Sequence, residues 1–231
     1  MTEGSIRRAL VMVAKQPSPG QTKTRLTPPL TGEQAALLYE HFLRDTIDLM
    51  RAAAGQIALT PIIAYLPEGG ASYFRALAPD FDLLLQAGKD LSERLDNATT
   101  HCLRHGFDQV VIMDSDSPTL PVEHLVAAFT ALDDADVSFG TCDDGGYYCI
   151  GLKQSASPLF LNVTMSTETV ARDTLDQAAR EGLRVALLPQ SYDIDYGADL
   201  KRLIDELTAL PQSIAAHTRR CLKTTLHGIV L

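Results

Sequence analysis

The run Ala9 to Ala14 (ALVMVA) is unbroken apolar sequence that ends at Lys15 and passes into a Pro/Gly segment. Such a run predicts a strand buried on both faces that leaves its sheet at a loop, here Lys15 to about Leu30. Thr31 stands three residues before Gln34, a capping-box spacing, and Leu38, Phe42, Leu43, Ile47 and Met50 then mark the apolar stripe of a helix. The alternation continues with a strand at Pro61–Tyr65, a short helix at Ser72–Leu77 and a strand at Asp82–Gln86. Asp90 and Glu93 have N-terminal capping spacing for a helix over Leu91–His105, and Gly106 sits where a helix commonly stops. Gln109–Met113 (QVVIM) is the clearest buried strand, followed by a helix at Pro121–Leu132. Strands at Val137–Gly140 and Tyr147–Leu152 are joined by an acidic, glycine-containing turn; a helix at Thr167–Glu181, a strand at Val185–Leu188 and a helical end complete the pattern. Strands alternating with helices predict an α/β fold: a doubly wound, mostly parallel sheet flanked by helices, with its ligand crevice at the carboxyl ends of the strands.

Composition narrows this picture. The 231 residues suit one α/β domain, 1–231, with 45% hydrophobic and 21% charged residues. A formal net charge of -9 argues against nucleic acid and anionic membrane as partners, because both demand a basic surface. Against that background residues 4 to 32 are unusual: Arg7, Arg8, Lys15, Lys23 and Arg25 occur there without one Asp or Glu, in a chain with 29 acids. Cys102, Cys142, Cys149 and Cys221 form no C-x-x-C pair and read as free structural thiols. The first apolar run is shorter than a signal or membrane segment, so a cytoplasmic protein is expected. His41, His101, His105, His124, His217 and His227 have no metal-binding spacing and read as structural or exposed.

Chemistry-bearing residues collect just after predicted strands. Lys15-Gln16-Pro17-Ser18-Pro19-Gly20-Gln21-Thr22-Lys23-Thr24-Arg25-Leu26 combines two prolines that restrain the backbone, a glycine and cations suited to phosphate oxygens. It matches neither G-x-x-x-x-G-K-[ST] nor G-x-G-x-x-G, and a solvated basic loop is the bland alternative. Asp114-Ser115-Asp116 follows QVVIM; in extended backbone its two carboxylates point to one side and repel unless a hard cation such as Mg²⁺ or Mn²⁺ lies between them. An acidic turn is the competing reading. Asp143-Asp144-Gly145-Gly146-Tyr147 is either a ligand-facing turn, with Asp144 as base or metal contact, or a tight hairpin. Asp193-Ile194-Asp195 precedes the last helices, where Asp195 has helix capping as its alternative.

Taken together, AKQPSPGQTKTRL (14–26), QAGKDLSERL (86–95), VVIMDSDSPTLP (110–121), DDGGYYCIGL (143–152), STETV (166–170) and DIDYGADL (193–200) resemble the GT-A-like, Rossmann-like proteins of the DUF2064 group. That group is often described as arsenosugar-biosynthesis-type glycosyltransferases, and it is more distantly similar to phospholactate guanylyltransferases and molybdopterin nucleotidyltransferases. The resemblance implies that Lys15, Gly20, Lys23 and Arg25 meet nucleotide phosphates, with Gln86, Gly88 and Arg94 beside the nucleotide. It implies a metal held by Asp114, Asp116 and Asp195, and Asp144 facing the acceptor with Gly145, Gly146 and Tyr147 shaping that end. Lys23 and Arg25 would also share the leaving-group charge. Members often carry Gly where Ser92 stands and Trp where Met165 stands. The implied activity is metal-dependent transfer of a sugar from a nucleotide sugar to a small-molecule acceptor. The basic first loop favours nucleotidyl transfer from a nucleoside triphosphate, with release of pyrophosphate, as the rival; a non-catalytic nucleotide-binding module is the third reading.

Overall fold

The alternation is realised in the computed structural model, which describes residues 5–224, as β1 (Arg8–Lys15), α1 (Gly32–Gln56), β2 (Thr60–Leu66), α2 (Ala71–Leu77), β3 (Asp82–Leu85), α3 (Leu91–Arg104), β4 (Gln109–Met113), α4 (Val122–Ala131), β5 (Val137–Thr141), β6 (Tyr147–Leu152), α5 (Pro158–Leu161), α6 (Val170–Arg180), β7 (Val185–Leu187), α7 (Gly197–Ala209) and α8 (Ala216–Thr224). The seven strands form one sheet in the order β3-β2-β1-β4-β6-β5-β7. Every neighbouring pair is parallel except those of β6, which runs antiparallel to both β4 and β5.

Successive side chains of a strand face opposite sides of its sheet, and here both sides are covered. Leu10, Met12 and Ala14 of β1 with Val111 and Met113 of β4 enter one apolar cluster, beneath α1, α4, α7 and α8. Ala9 and Val11 with Val110 and Ile112 enter a second, beneath α3, α5 and α6. Double burial explains why these strands read as continuous apolar runs.

The expected caps form. Thr31 Oγ1 accepts from Gln34 N at 3.2 Å while Gln34 Oε1 accepts from Thr31 N at 2.8 Å, and Asp90 Oδ1 accepts from Glu93 N at 3.0 Å. Two segments differ from the periodic reading. α6 begins at Val170 rather than Thr167, because Glu168 packs its carbonyl against the turn before β6, and Ala171 N donates to Gly145 O at 3.0 Å. α5 is a single short turn, too brief to show periodicity.

The chain's helical end divides after Ala209, where Leu210 is extended ahead of Pro211. The Arg219 guanidinium folds back to donate to the carbonyls of Leu207, Leu210 and Pro211 at 2.5, 2.9 and 3.1 Å, satisfying carbonyls at the α7 terminus. Asp45, buried within α1, accepts from His217 N at 2.9 Å and Thr218 N at 2.8 Å and so caps α8 from another element. All four cysteines are buried and free; burial pushes the Cys102 thiol up to about 11 and, with Glu40, does the same to Cys221. His227 lies outside the described residues. No helix among the described residues is long and apolar enough to cross a membrane.

Asp45→Ala is expected to reduce unfolding free energy by about 2–3 kcal/mol, since two amides lose a carboxylate acceptor in a buried setting. Urea unfolding followed by circular dichroism measures this, and an unchanged stability would mean that apolar contacts alone hold α8.

Candidate functional site

From β1 the chain builds the sheet outward through β2 and β3, whereas β4 opens the other half. The segments leaving the carboxyl ends of β1 and β4 therefore diverge, and a crevice opens between them at this switch point. Asp114 N donates to Tyr148 O at 2.9 Å, prolonging the β4–β6 pairing just beyond the strand. Ile194 is fully buried and donates its N–H to Asp116 O at 3.1 Å, which draws Asp193 and Asp195 to the same rim. Asp199 Oδ2 then fixes that segment by accepting from Asp195 N at 2.9 Å and Tyr196 N at 2.6 Å.

Lys23 ties the crevice together. Its backbone is left-handed, at φ 49° and ψ 41°, and its ammonium donates to Asp116 Oδ2 and, at 2.6 Å, to Asp195 Oδ1. Arg25 Nη1 meets the other oxygen of Asp195 at 3.1 Å, and its guanidinium lies 5.3 Å from the centre of the Tyr196 ring. Burial by itself would lower the Lys23 pKa, but the charges and hydrogen bonds of Asp116 and Asp195 outweigh it and raise it above the usual lysine range. For Asp195, burial favours protonation, yet Lys23 and Arg25 prevail and hold the carboxyl below its ordinary value. Removing one partner from a buried pair costs roughly 3–5 kcal/mol. Here the lower end applies, because the Asp116 and Asp195 side chains keep 21% and 27% exposure.

Two cavities meet at this triad. The first, about 420 Å³, takes Lys15, the Gln21–Arg25 segment, Gln86, Arg94, Ser115 and Tyr39 into its walls. The second, about 560 Å³, is lined by Leu95, Asp144, Gly146, Tyr147, Met165, Glu168, Asp193 and Tyr196. Asp114, Asp116, Asp195 and Arg25 belong to both, together with Val13, Leu91 and Ser166, so the acids form the charged part of the partition.

In the first cavity Tyr39 Oη accepts from Lys15 N at 3.2 Å and bonds Ser115 Oγ at 2.9 Å, joining the two diverging segments. Gln86 Nε2 donates to the carbonyls of Ala14 and Ala64 at 3.2 and 2.7 Å. Arg94 Nε donates to Gly88 O at 3.2 Å. A side chain at Gly88, whose φ is +135°, would strike Glu93 Cβ at 2.7 Å, so this bend over the start of α3 needs glycine. Gly20 and Gly88 line neither cavity; Gly20 instead packs closely against Gly32 at the start of α1.

In the second cavity the exposed Asp144 accepts from Gly146 N at 2.8 Å. Gly145, at φ +90°, permits an approach no other residue allows: a Cβ there would sit 1.9 Å from Glu168 O. Tyr147 donates its hydroxyl to Met165 Sδ at 3.7 Å, so Met165 supplies the contact at that wall. Ser92 lies in the first turn of α3.

The acids exceed their local cations. Asp114 is raised well above the carboxylate range by burial and by Asp116. Its Oδ2 accepts from Ser117 Oγ at 2.6 Å, but its buried Oδ1 has no hydrogen-bond partner among the described residues. Asp193 is pushed up to about 7 by burial and by the charges of Asp116, Asp144 and Asp195. Ligand atoms of Cys142, Asp144 and Asp193 also lie within 4.8 Å of one another. Burial and the nearby carboxylates of Asp114, Asp193 and Asp144 hold the Cys142 thiol protonated, which leaves the oxygens as the better ligands. An orphaned buried carboxylate oxygen within an oxygen-rich set suits a hard divalent cation.

The structure thus gathers Lys15, Lys23, Arg25, Gln86, Arg94, Asp114, Asp116, Asp144, Gly146, Tyr147 and Asp195 around the two cavities, while Gly20, Gly88 and Gly145 act as backbone supports behind them. The described histidines line neither cavity. Sequence reasoning assigned no role to Asp193, Tyr39 or Glu168. The D-x-D spacing of Asp193 and Asp195 was the available signal for the first; Tyr39, within the apolar face of α1, carried none.

A family model described as "Uncharacterized protein conserved in bacteria (DUF2064)" matches residues 49–167. Among solved structures, a candidate nucleotide-diphospho-sugar transferase from Desulfovibrio desulfuricans G20 is 30% identical, with 92% of this chain and 94% of that one covered and a TM-score of 0.83. A cytidylyltransferase from Leptospira borgpetersenii serovar Hardjo-bovis (strain JB197) shares the fold at 13% identity, with 96% and 95% covered and a TM-score of 0.58. Rv0371c from Mycobacterium tuberculosis H37Rv, in complex with manganese, does so at 17% identity, with 87% and 100% covered and a TM-score of 0.54. No curated protein matches the chain.

Crowding of the carboxylates has a measurable consequence. The ordinary carboxyl releases its proton near 3.8 and the folded Asp193 near 7, so the folded state's handicap grows between those values and is complete above pH 7. In EDTA, Asp193→Asn is expected to stabilise the protein by about 1–2 kcal/mol at pH 8, less than the full shift converts to because the group is half-buried, and the gain should fade toward pH 4. Chemical denaturation at both pH values checks this; equal stability at pH 8 would remove the repulsion.

Proposed function

The chain belongs to the DUF2064 family, and from that membership and the acid partition we propose a divalent-metal-dependent enzyme that transfers a sugar from a nucleotide sugar to a small-molecule acceptor. The observation that carries this reading is the wall shared by the two cavities. A donor whose diphosphate lies along Lys23, Arg25 and the acids extends its nucleoside into the first cavity and its sugar into the second.

Lys15, Lys23, Arg25 and Arg94 hold the phosphates, Gln86 bounds the nucleoside side, the Gly88 bend supports Arg94 from behind, and Gly20 sets the entry of α1 behind the loop. Asp116 and Asp195, with Asp114, would hold the cation. When bound, Mg²⁺ or Mn²⁺ supplies positive charge to the diphosphate as it departs. On the other side Tyr147 and Met165 offer a half-apolar wall to the sugar or acceptor, and Gly145 and Gly146 keep Asp144 at its edge. The acceptor oxygen forms its bond to the anomeric carbon as the carbon–oxygen bond to the diphosphate breaks. Asp144 takes the acceptor proton, and Lys23 and Arg25 share the charge left on the diphosphate.

Nucleotidyl transfer is the second reading, favoured by Lys15, Lys23, Arg25 and Arg94 around one cavity, a concentration of charge that suits a triphosphate.

The deciding experiment incubates the protein with nucleotide sugars or nucleoside triphosphates and a mixture of small hydroxylated and phosphorylated acceptors, with and without Mg²⁺ or Mn²⁺, and identifies the released phosphate. Metal-dependent nucleoside diphosphate from a nucleotide sugar is expected; pyrophosphate from a triphosphate would replace glycosyl by nucleotidyl transfer. Asp116→Asn is expected to lower turnover by about 100-fold or more, while Arg94→Ala chiefly raises the donor KM, by about 10-fold. Unchanged turnover in the first variant would remove Asp116 from the site.

A further inference from the structure

Lys23 occupies carboxylate oxygens that the proposed metal requires. Its ammonium holds Asp116 Oδ2 and Asp195 Oδ1, and Arg25 holds Asp195 Oδ2, so both oxygens of Asp195 are paired with cations. The Lys23 side chain is only 7% exposed, far more enclosed than the 51% of Arg25, so its position is a built one. It is also held in left-handed backbone, which a residue with a Cβ adopts only under restraint. A divalent cation cannot share these oxygens with an ammonium at contact distance without strong repulsion. Yet Lys23 belongs to the Gln21–Arg25 segment that walls the first cavity, where phosphate offers the same ammonium another anionic partner.

Resting on the metal- and nucleotide-dependent reading above, we propose that Lys23 is a built-in counter-cation of Asp116 and Asp195, and that divalent metal takes these two carboxylates only as a donor diphosphate draws the ammonium away. Metal and diphosphate then bind as a coupled pair. Without metal, Asp116 and Asp195 are then paired with Lys23 and Arg25, and metal affinity alone is low by design of the loop. Lys23 serves here as a positioning residue, distinct from its later share in stabilising the leaving group. Because coupling is reciprocal, diphosphate tightens metal by the same factor that metal tightens diphosphate.

The test titrates Mn²⁺ alone into the unaltered protein, Lys23→Met and Lys23→Gln by equilibrium dialysis, reading protein-bound Mn²⁺ as the excess over the protein-free compartment, and repeats the titration with inorganic pyrophosphate, whose own Mn²⁺ complex is the same in both compartments. The unaltered protein should bind Mn²⁺ weakly by itself and at least about 10-fold more tightly with pyrophosphate. Either uncharged variant should bind Mn²⁺ alone about 10-fold more tightly than the unaltered protein, with a correspondingly smaller gain from pyrophosphate. Lys23→Gln retains hydrogen-bond donors and provides the reading if Lys23→Met does not fold; rescue of either fold by Mn²⁺ would support the same conclusion. Variants that bind Mn²⁺ alone no more tightly than the unaltered protein, while pyrophosphate still recruits Mn²⁺ to the latter, would overturn the counter-cation role and leave the proposed function standing. Absence of Mn²⁺ binding in all three proteins, with and without pyrophosphate, would overturn both.

Discussion

Burial of β1 and β4 on both faces is the constraint from which the site follows. A strand enclosed by two apolar clusters has no place along its length for a charged side chain, so polar chemistry is displaced to where the strand ends. β1 and β4 are parallel neighbours, so their carboxyl ends lie on the same side of the sheet, with β1 running to Lys15 beyond the Met12–Met113 pair that closes β4. The chain then departs in two directions, and the gap between the departing segments is too polar to close. Tyr39 spans it with bonds to Lys15 N and Ser115 Oγ, and Lys23 spans it with its ammonium. The crevice is a by-product of how the sheet is wound.

Electrostatics then decides what the crevice can accept. A protein of formal charge -9 would repel phosphates if its charge were evenly spread. Instead the loop after β1 brings Lys23 and Arg25 against Asp195, while Lys15 and Arg94 stand at the wall of the same cavity. Across the partition Asp144 and Asp193 add negative charge without matching cations. The result is a gradient over a short distance, basic on one side and acidic on the other. An elongated anionic ligand would be oriented by such a gradient before its uncharged groups make contact.

Much of the fold was legible because burial leaves periodic traces. The unbroken runs of β1 and β4, the stripe of α1, and the caps at Thr31 and Asp90 each follow from local rules. The site was legible only in part, since its residues stood out by type and by position after strands. Their mutual arrangement was not: Lys23 meets Asp116 and Asp195 across 93 and 172 positions, distances over which local pattern carries no information. Asp193 was visible within a D-x-D pair, but its place depends on Ile194 being buried and bonded to Asp116. Glycine was the least readable residue type. Gly20 looked like a ligand contact and packs against Gly32, whereas Gly145 serves a backbone contact that no motif announces.

That contact carries its own implication. With Glu168 O where a Cβ of Gly145 would lie, and Ala171 N bonded to Gly145 O, the turn bearing Asp144 and the stretch from Met165 to Ala171 interlock. A segment exchanged on either side must therefore keep glycine at 145 and the backbone path through Glu168 and Ala171. Within that frame the side chains of the wall can diversify, in nature or by recombination in the laboratory, because the interlock is made by main chain and leaves the exposed positions free.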